Sequence, residues 1–85
     1  MAETPNIVVQ TPDPAYRPLP PDGCVLTTAE TAMVLRMPEK TLEWWRRERR
    51  GPIPMRIGRH VRYRSEDVRA WLAQQAAAGE GWMAS

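Results

Sequence analysis

Eighty-five residues leave room for one small domain. The one cysteine, Cys24, excludes an intramolecular disulfide, and with the one histidine, His60, it supplies too few ligands for a usual zinc site. We therefore expect no metal and no cofactor. No apolar stretch is long enough to span a bilayer, and the N-terminus lacks the pattern of a signal peptide, so the sequence predicts a cytoplasmic protein with no membrane partner.

The charge of the chain is unevenly distributed. Between positions 36 and 69, ten arginines and one lysine stand against five acidic residues, whereas the rest of the chain carries one arginine and five acids. Arginine pairs in a bidentate way with phosphate groups and with guanine edges. The middle of the chain is therefore either a solvated basic face or a surface that meets nucleic acid.

The first 24 residues contain six of the nine prolines. This composition disfavours a helix and leaves little to bury, so we expect an extended arm over residues 1–24. Its apolar run, Ile7, Val8 and Val9, could add a strand to another copy of the chain, and we assign self-association to these residues as a hypothesis. The alternative to self-association is that the arm is inert. At the other end, residues 77–85 are expected to form a flexible tail.

Two helices separated by a short turn are predicted after the arm. Thr27 and Glu30 fit a capping box, which places a first helix over about 28–36. Pro38 interrupts this helix and can begin a second one, which runs to about position 49 and ends before a Gly-Pro pair. A gap of two or three residues between the helices is typical of a helix-turn-helix.

A hairpin and a third helix complete the predicted fold. Residues alternate between apolar and polar over 55–64, which indicates a hairpin. If residues 58–60 form its loop, one face holds Met55, Ile57, Val61 and Tyr63. The third helix is expected over about 65–76. The fold class is therefore mainly α with a small β-hairpin, a winged helix-turn-helix over residues 25–76.

The second helix separates its two tryptophans. At 100° per residue, Leu42 and Trp45 fall on the side of the core, whereas Trp44 falls on the outer side among charged residues. An exposed tryptophan suggests a contact, although another part of the chain could cover it. The outer surface that we predict to enter a major groove of DNA consists of Lys40, Thr41, Glu43, Trp44 and Arg47.

The hairpin carries a second cationic surface. With a loop of residues 58–60, Arg56 lies across from Arg62 on the face away from the core, where like charges destabilise a strand pair. A phosphate backbone beside that face would remove the conflict. Arg59 at the tip is placed to enter a minor groove, a solvated loop charge being the alternative. The predicted DNA-binding residues of this wing are Arg56, Arg59, His60, Arg62 and Arg64.

No catalytic arrangement is recognisable in the sequence. It contains no Ser/His/Asp or Cys/His set at a known spacing and no glycine loop that could cradle a phosphate. We therefore expect no catalytic residues and no enzymatic activity.

The core of the chain resembles the excisionase family. The resemblance covers residues 26–72 and is carried by the run Arg-Ile-Gly-Arg-His-Val-Arg-Tyr-Arg over 56–64 and by Asp-Val-Arg-Ala-Trp-Leu over 67–72. Excisionases are winged-helix proteins related to the DNA-binding domains of MerR regulators. The resemblance implies that the second helix reads the major groove and the wing reaches the minor groove. Pro38, where the family usually has a capping serine, and the proline-rich arm depart from the pattern.

The resemblance also implies a role in recombination. Excisionases, or recombination directionality factors, bind repeated sites beside an integrase, bend DNA and direct site-specific recombination toward excision. We expect such a protein of a phage or integrated element, located in the bacterial host cytoplasm and on the nucleoid when bound to DNA. A small chain without an effector-binding domain or a dimerising helix favours an excisionase over a transcriptional regulator.

The expected partners are double-stranded DNA, further copies bound head to tail in a cooperative array, and a phage integrase. One alternative is a small MerR-like or AlpA-like transcriptional regulator. Another is a non-enzymatic adaptor whose basic face binds an acidic protein.

Overall fold

The computed structural model describes residues 18–84, and the hypothesis for Ile7, Val8 and Val9 lies outside this range. Within it, three helices and a three-stranded antiparallel sheet form a winged helix-turn-helix, which confirms the predicted fold class. The elements in chain order are β1 (Val25–Leu26), α1 (Thr28–Leu35), α2 (Glu39–Glu48), β2 (Pro54–Ile57), β3 (His60–Arg64) and α3 (Ser65–Ala84).

The capping box at the start of α1 is confirmed. Thr27 Oγ1 accepts a hydrogen bond from the backbone N–H of Glu30 at 3.0 Å, and a carboxylate oxygen of Glu30 accepts one from the N–H of Thr27 at 2.9 Å. Pro38 precedes α2 and provides no side-chain cap, as expected of proline. Both helices end in the left-handed conformation at an arginine, Arg36 for α1 and Arg49 for α2.

The sheet differs from the predicted hairpin in two ways. The two-residue strand β1 pairs with β3, which gives the order β1-β3-β2 and makes β3 central. Such a short strand carries no periodicity that a sequence pattern could reveal. The hairpin loop contains two residues, Gly58 and Arg59, and not the predicted 58–60, because His60 pairs with Ile57 in the sheet.

The shorter loop moves β2 by one position against β3, so the predicted cross-strand pairs are wrong. Arg56 lies opposite Val61, and Arg62 lies opposite Met55. Opposite residues share a face of the sheet. Arg56 therefore shares the face of Val61, and the expected repulsion between Arg56 and Arg62 across the strands does not exist. Ile57, expected on the core face, is 51% exposed.

The core lies where α1, α2 and α3 meet the sheet. Val68 of α3 is fully buried, and Leu35, Trp45 and Val61 pack against the core from partly buried positions. The packing of Leu42 and Trp45 confirms the predicted inner side of α2. The buried core residues are Leu26, Ala32, Leu42, Tyr63 and Val68.

The end of the proline-rich segment is bound to α3. Ser65 is fully buried, and its hydroxyl donates to the carbonyl of Pro21 at 2.7 Å and accepts from the N–H of Cys24 at 3.2 Å. Arg69 donates to a carboxylate oxygen of Asp22 at 2.9 Å and to the carbonyl of Pro20 at 3.1 Å. Residues 20–24 are therefore part of the folded unit, although the composition predicted an arm up to residue 24.

The third helix is longer than predicted. It continues to Ala84 through Gly79 and Gly81, whereas the sequence suggested an end near residue 76 and a tail beyond it. Trp82 and Met83 are about three-quarters exposed on this extension. The alanine run before the glycines has a high helix propensity and extends the helix past the expected end.

Candidate nucleic-acid interface

The predicted recognition surface lies on α2. Lys40, Trp44 and Arg47 are exposed, and Thr41 and Glu43 are partly buried. Trp44 is 44% exposed, whereas its neighbour Trp45 contacts the core. The outward position of Trp44 is therefore confirmed; its role in binding stays a prediction.

Trp44 and Trp45 have different partners. The guanidinium carbon of Arg50 lies 4.9 Å from the centre of the Trp44 ring, a cation–π contact that covers part of one ring face. On the core side of α2, the ring centres of Trp45 and Trp71 are 5.3 Å apart, with an interplanar angle of 49°. The second contact fixes α2 against α3, and the first leaves Trp44 at the surface.

The tip of the wing is narrow. Gly58 adopts a φ of 61°, the left-handed conformation that favours glycine, at the first position of the two-residue turn. Arg59 at the second position and His60 behind it are exposed. Arg62 is partly buried and donates to the carbonyl of Val61 at 2.8 Å. A single arginine therefore stands at the end of the hairpin.

Arg64 is exposed, but its guanidinium is engaged by acidic side chains of the same chain. Its guanidinium forms a two-point contact with Asp67, with Nε–Oδ2 and Nη2–Oδ1 distances of 2.8 and 3.2 Å, and Glu66 lies 3.8 Å away. The hydrogen bonds that Arg64 donates to Asp67 and the charge of the Asp67 carboxylate raise the pKa of Arg64, and the charge of Glu66 adds to this. Arg64 thus connects β3 to the first turn of α3, and its positive charge is already compensated.

The first turn of α3 has a second charged contact. The backbone N–H of Gly23 donates to Glu66 Oε1 at 3.0 Å. This hydrogen bond is the main reason that the pKa of Glu66 lies below its ordinary value, and the charge of Arg64 lowers it further. The two acidic residues of the first turn of α3, Glu66 and Asp67, therefore bind the N-terminal segment and Arg64.

A groove separates α2 from the hairpin. Arg47 and Glu43 of α2 line one side, and Arg56 and Val61 of the hairpin line the other. Two predicted site residues from different elements, Arg47 and Arg56, thus border the same open space. Arg62 lies on the opposite face of the sheet. Arg56 was assigned to that outer face by the sequence, and the register places it in the groove.

Arg46 was missed by the sequence analysis. It lines the same groove, and its Nη1 donates to Thr28 Oγ1 and to the Tyr63 hydroxyl, both at 3.1 Å. Tyr63 is 1% exposed. A buried tyrosine needs a partner for its hydroxyl, and this was the signal that could have directed attention to a donor on α2. Arg46 joins α1, α2 and β3 at one guanidinium.

No group of metal-binding side chains occurs among residues 18–84. In the same part of the chain, no helix is long and apolar enough to cross a membrane.

A sequence model described as a helix-turn-helix domain matches residues 25–76, more than half of the chain. The chain belongs to this helix-turn-helix family. The family includes excisionase-like and AlpA-like DNA-binding proteins. The match supports DNA binding for this helix-turn-helix protein, and it ends eight residues before the end of α3. Comparison with curated proteins and with solved structures gives no match.

Proposed function

We propose that this helix-turn-helix protein is a sequence-specific DNA-binding and DNA-bending protein that acts as an excisionase. The observation that carries the proposal is the placement of two cationic elements side by side. The outer side of α2 presents Lys40 and Arg47, the wing tip presents Arg59, and an arginine-lined groove lies between them. One domain can thereby contact a major groove with its helix and the adjacent minor groove with its wing.

From the position of the wing, we infer that the protein bends DNA as well as binding it. A narrow minor groove has an enhanced negative potential that attracts an inserted arginine, and its width depends on how the duplex is bent. A two-residue tip with Arg59 is small enough for that groove. Single modules of this size bury only about 600–1,000 Å² of protein surface on DNA, so selective occupancy requires several copies on adjacent sites.

The proposed copies bind head to tail. A contact between two different surfaces does not close on itself and can extend along repeated sites. The sheet offers β2 as an edge strand, since β3 is central and β1 occupies its other side. Ile7, Val8 and Val9 of a neighbouring copy could add a strand to this edge. The step to excision rests on the resemblance of residues 26–72 to excisionases.

A recombination assay tests this proposal. Purified integrase, from the same genetic element, is incubated with a DNA carrying the two junction sites of the integrated state, with and without this protein. We expect excision to depend on the protein and the reverse reaction to be unchanged or inhibited. Unchanged excision, together with repression or activation of a nearby promoter, would assign the protein to the regulators instead.

The proposed contact between copies is tested with a truncated protein, separately from recombination. Deletion should end at residue 17, because Pro20 and Pro21 bind α3 and belong to the folded domain. We expect this truncation to keep its affinity for one site and to lose cooperativity and bending on DNA with several sites. A full-length variant with Ile7, Val8 and Val9 replaced by serine is the matched control, and it should behave like the truncation. Full cooperativity in both would place the contact between folded domains.

A further inference from the structure

The groove between α2 and the hairpin lies between the two elements that the proposed complex places in neighbouring grooves of the DNA. We propose that it holds one sugar-phosphate strand of the duplex and that Arg46, fixed by Tyr63 and Thr28, is its positioned phosphate contact. This inference rests on the proposed docking of helix and wing in adjacent grooves.

The geometry of the duplex leads to this assignment. Neighbouring major and minor grooves of B-DNA are separated by a single phosphate backbone. If α2 occupies the major groove and Arg59 enters the next minor groove, that backbone passes between α2 and the hairpin. The groove between these elements is open, and the described residues that line it include three arginines: Arg46, Arg47 and Arg56.

The three arginines are available for an anion. The ion pairs formed among residues 18–84 use other arginines, Arg64 and Arg69. Glu43 is the acidic residue that lines the groove, and it lies one helical turn before Arg47, whose charge opposes its own. The cations therefore outnumber the acid three to one along this part of the surface.

Arg46 differs from the other two because it is held in place. Both of its hydrogen bonds use Nη1, and both acceptors are neutral hydroxyl groups, so its positive charge is not compensated by them. Nε and Nη2 carry further N–H donors in the fixed plane of the guanidinium, which matches the oxygens of a phosphate. Anchoring one nitrogen removes side-chain freedom before the ligand arrives, which favours binding.

Salt titrations of duplex binding show whether Arg46 contacts a phosphate or only connects α1, α2 and β3 within the protein. Neutralising one phosphate contributes about 0.9 to the slope of log K against log salt, so Arg46→Met should reduce the magnitude of that slope by about one. Tyr63→Phe and Thr28→Val remove the anchors and keep the charge; they should weaken binding several-fold with an unchanged slope. Arg69→Met is the matched control on α3, because Asp22 already compensates its charge.

Uncharged methylphosphonate linkages, placed one at a time along the DNA, provide the deciding test. At one position between the two grooves, the linkage should weaken binding of the wild-type protein about tenfold and have no further effect on Arg46→Met. Equal sensitivity of both proteins at every position would overturn the proposal. If melting shows that Arg46→Met does not fold, Arg46→Gln replaces it, because the amide removes the charge and keeps N–H donors for Thr28 and Tyr63; sensitivity equal to that of the wild type then overturns the proposal.

The test does not depend on recombination. A protein that shows this coupling but does not promote excision would refute the excisionase proposal and leave the phosphate contact in place. Binding to no duplex at all would refute both.

Discussion

Gly51 lies directly against the ring of Trp45. Gly51 adopts a φ of 80°, and a Cβ atom at this position would lie 2.7 Å from Cε3 of Trp45. Where the chain leaves α2 for β2, no larger residue therefore fits at position 51 without displacing the ring. The positive φ and the close contact both favour glycine at this position.

Replacement of Gly51 by alanine should destabilise the domain by about 2–4 kcal/mol, since backbone strain and overpacking act together. Gly58→Ala is the matched control, because Gly58 has a φ of 61° but no heavy atom within 4 Å of the added Cβ. It should cost only about 1 kcal/mol. Chemical denaturation of both variants measures the difference, and equal losses would contradict the contact with Trp45.

The two tryptophans of α2 should respond differently to truncation. Trp45→Ala removes the contacts with Trp71 and the core and should cost about 3 kcal/mol or more. Trp44→Ala loses an exposed cation–π contact and should change stability by only about 0.5 kcal/mol. DNA affinity of the Trp44 variant should fall by about 1 kcal/mol or more. The opposite order of stabilities would show that the faces of α2 are reversed.

The carboxylate of Glu66 should make stability depend on acidic pH. Its pKa is lowered in the folded state below the ordinary value of 4.5 by the hydrogen bond from Gly23. Its contribution is therefore complete above the ordinary pKa and is lost as the pH falls through the lowered value. Melting temperatures measured from neutral to acidic pH should fall less steeply for Glu66→Gln than for the wild type. Parallel curves would exclude a contribution of this contact.

The wing tip should affect binding without affecting folding. Arg59 is exposed at the end of the hairpin, so Arg59→Ala should leave the melting temperature unchanged and weaken DNA binding about tenfold. Arg64→Ala is an informative comparison, because it breaks the two-point contact with Asp67 and should lower stability as well. Unchanged affinity of the Arg59 variant would refute a wing-tip contact.

The sequence predicted the elements with local signals and missed those that depend on long-range pairing. Thr27 and Glu30 are three residues apart, and their capping box defines the start of α1 in both sequence and structure. The hairpin register depends on whether His60 belongs to the loop or to β3, and the alternating pattern allowed both. Only the pairing of Ile57 with His60 resolves this choice, and with it the face on which Arg56 lies.

The candidate site was predicted only where its residues follow from local periodicity, and it was missed where it depends on contacts between distant parts of the chain. The exposed position of Trp44 follows from helical periodicity within α2. By contrast, Arg46 contacts Thr28 and Tyr63, which are 18 and 17 residues away in the chain, and no spacing within α2 indicates that arrangement. The compensation of Arg64 by Asp67 is local, but it depends on how β3 continues directly into α3.

Equilibrium binding to duplex DNA over a range of salt concentrations tests the central claim most directly. If the arginine-rich surface of α2 and the wing neutralises about four to six phosphates, log K should fall against log salt with a slope of about −4 to −5. The titration should use a duplex with one site, so that contacts between copies do not contribute. A slope near zero would contradict the account, because a surface built from these arginines cannot bind a duplex without releasing counterions.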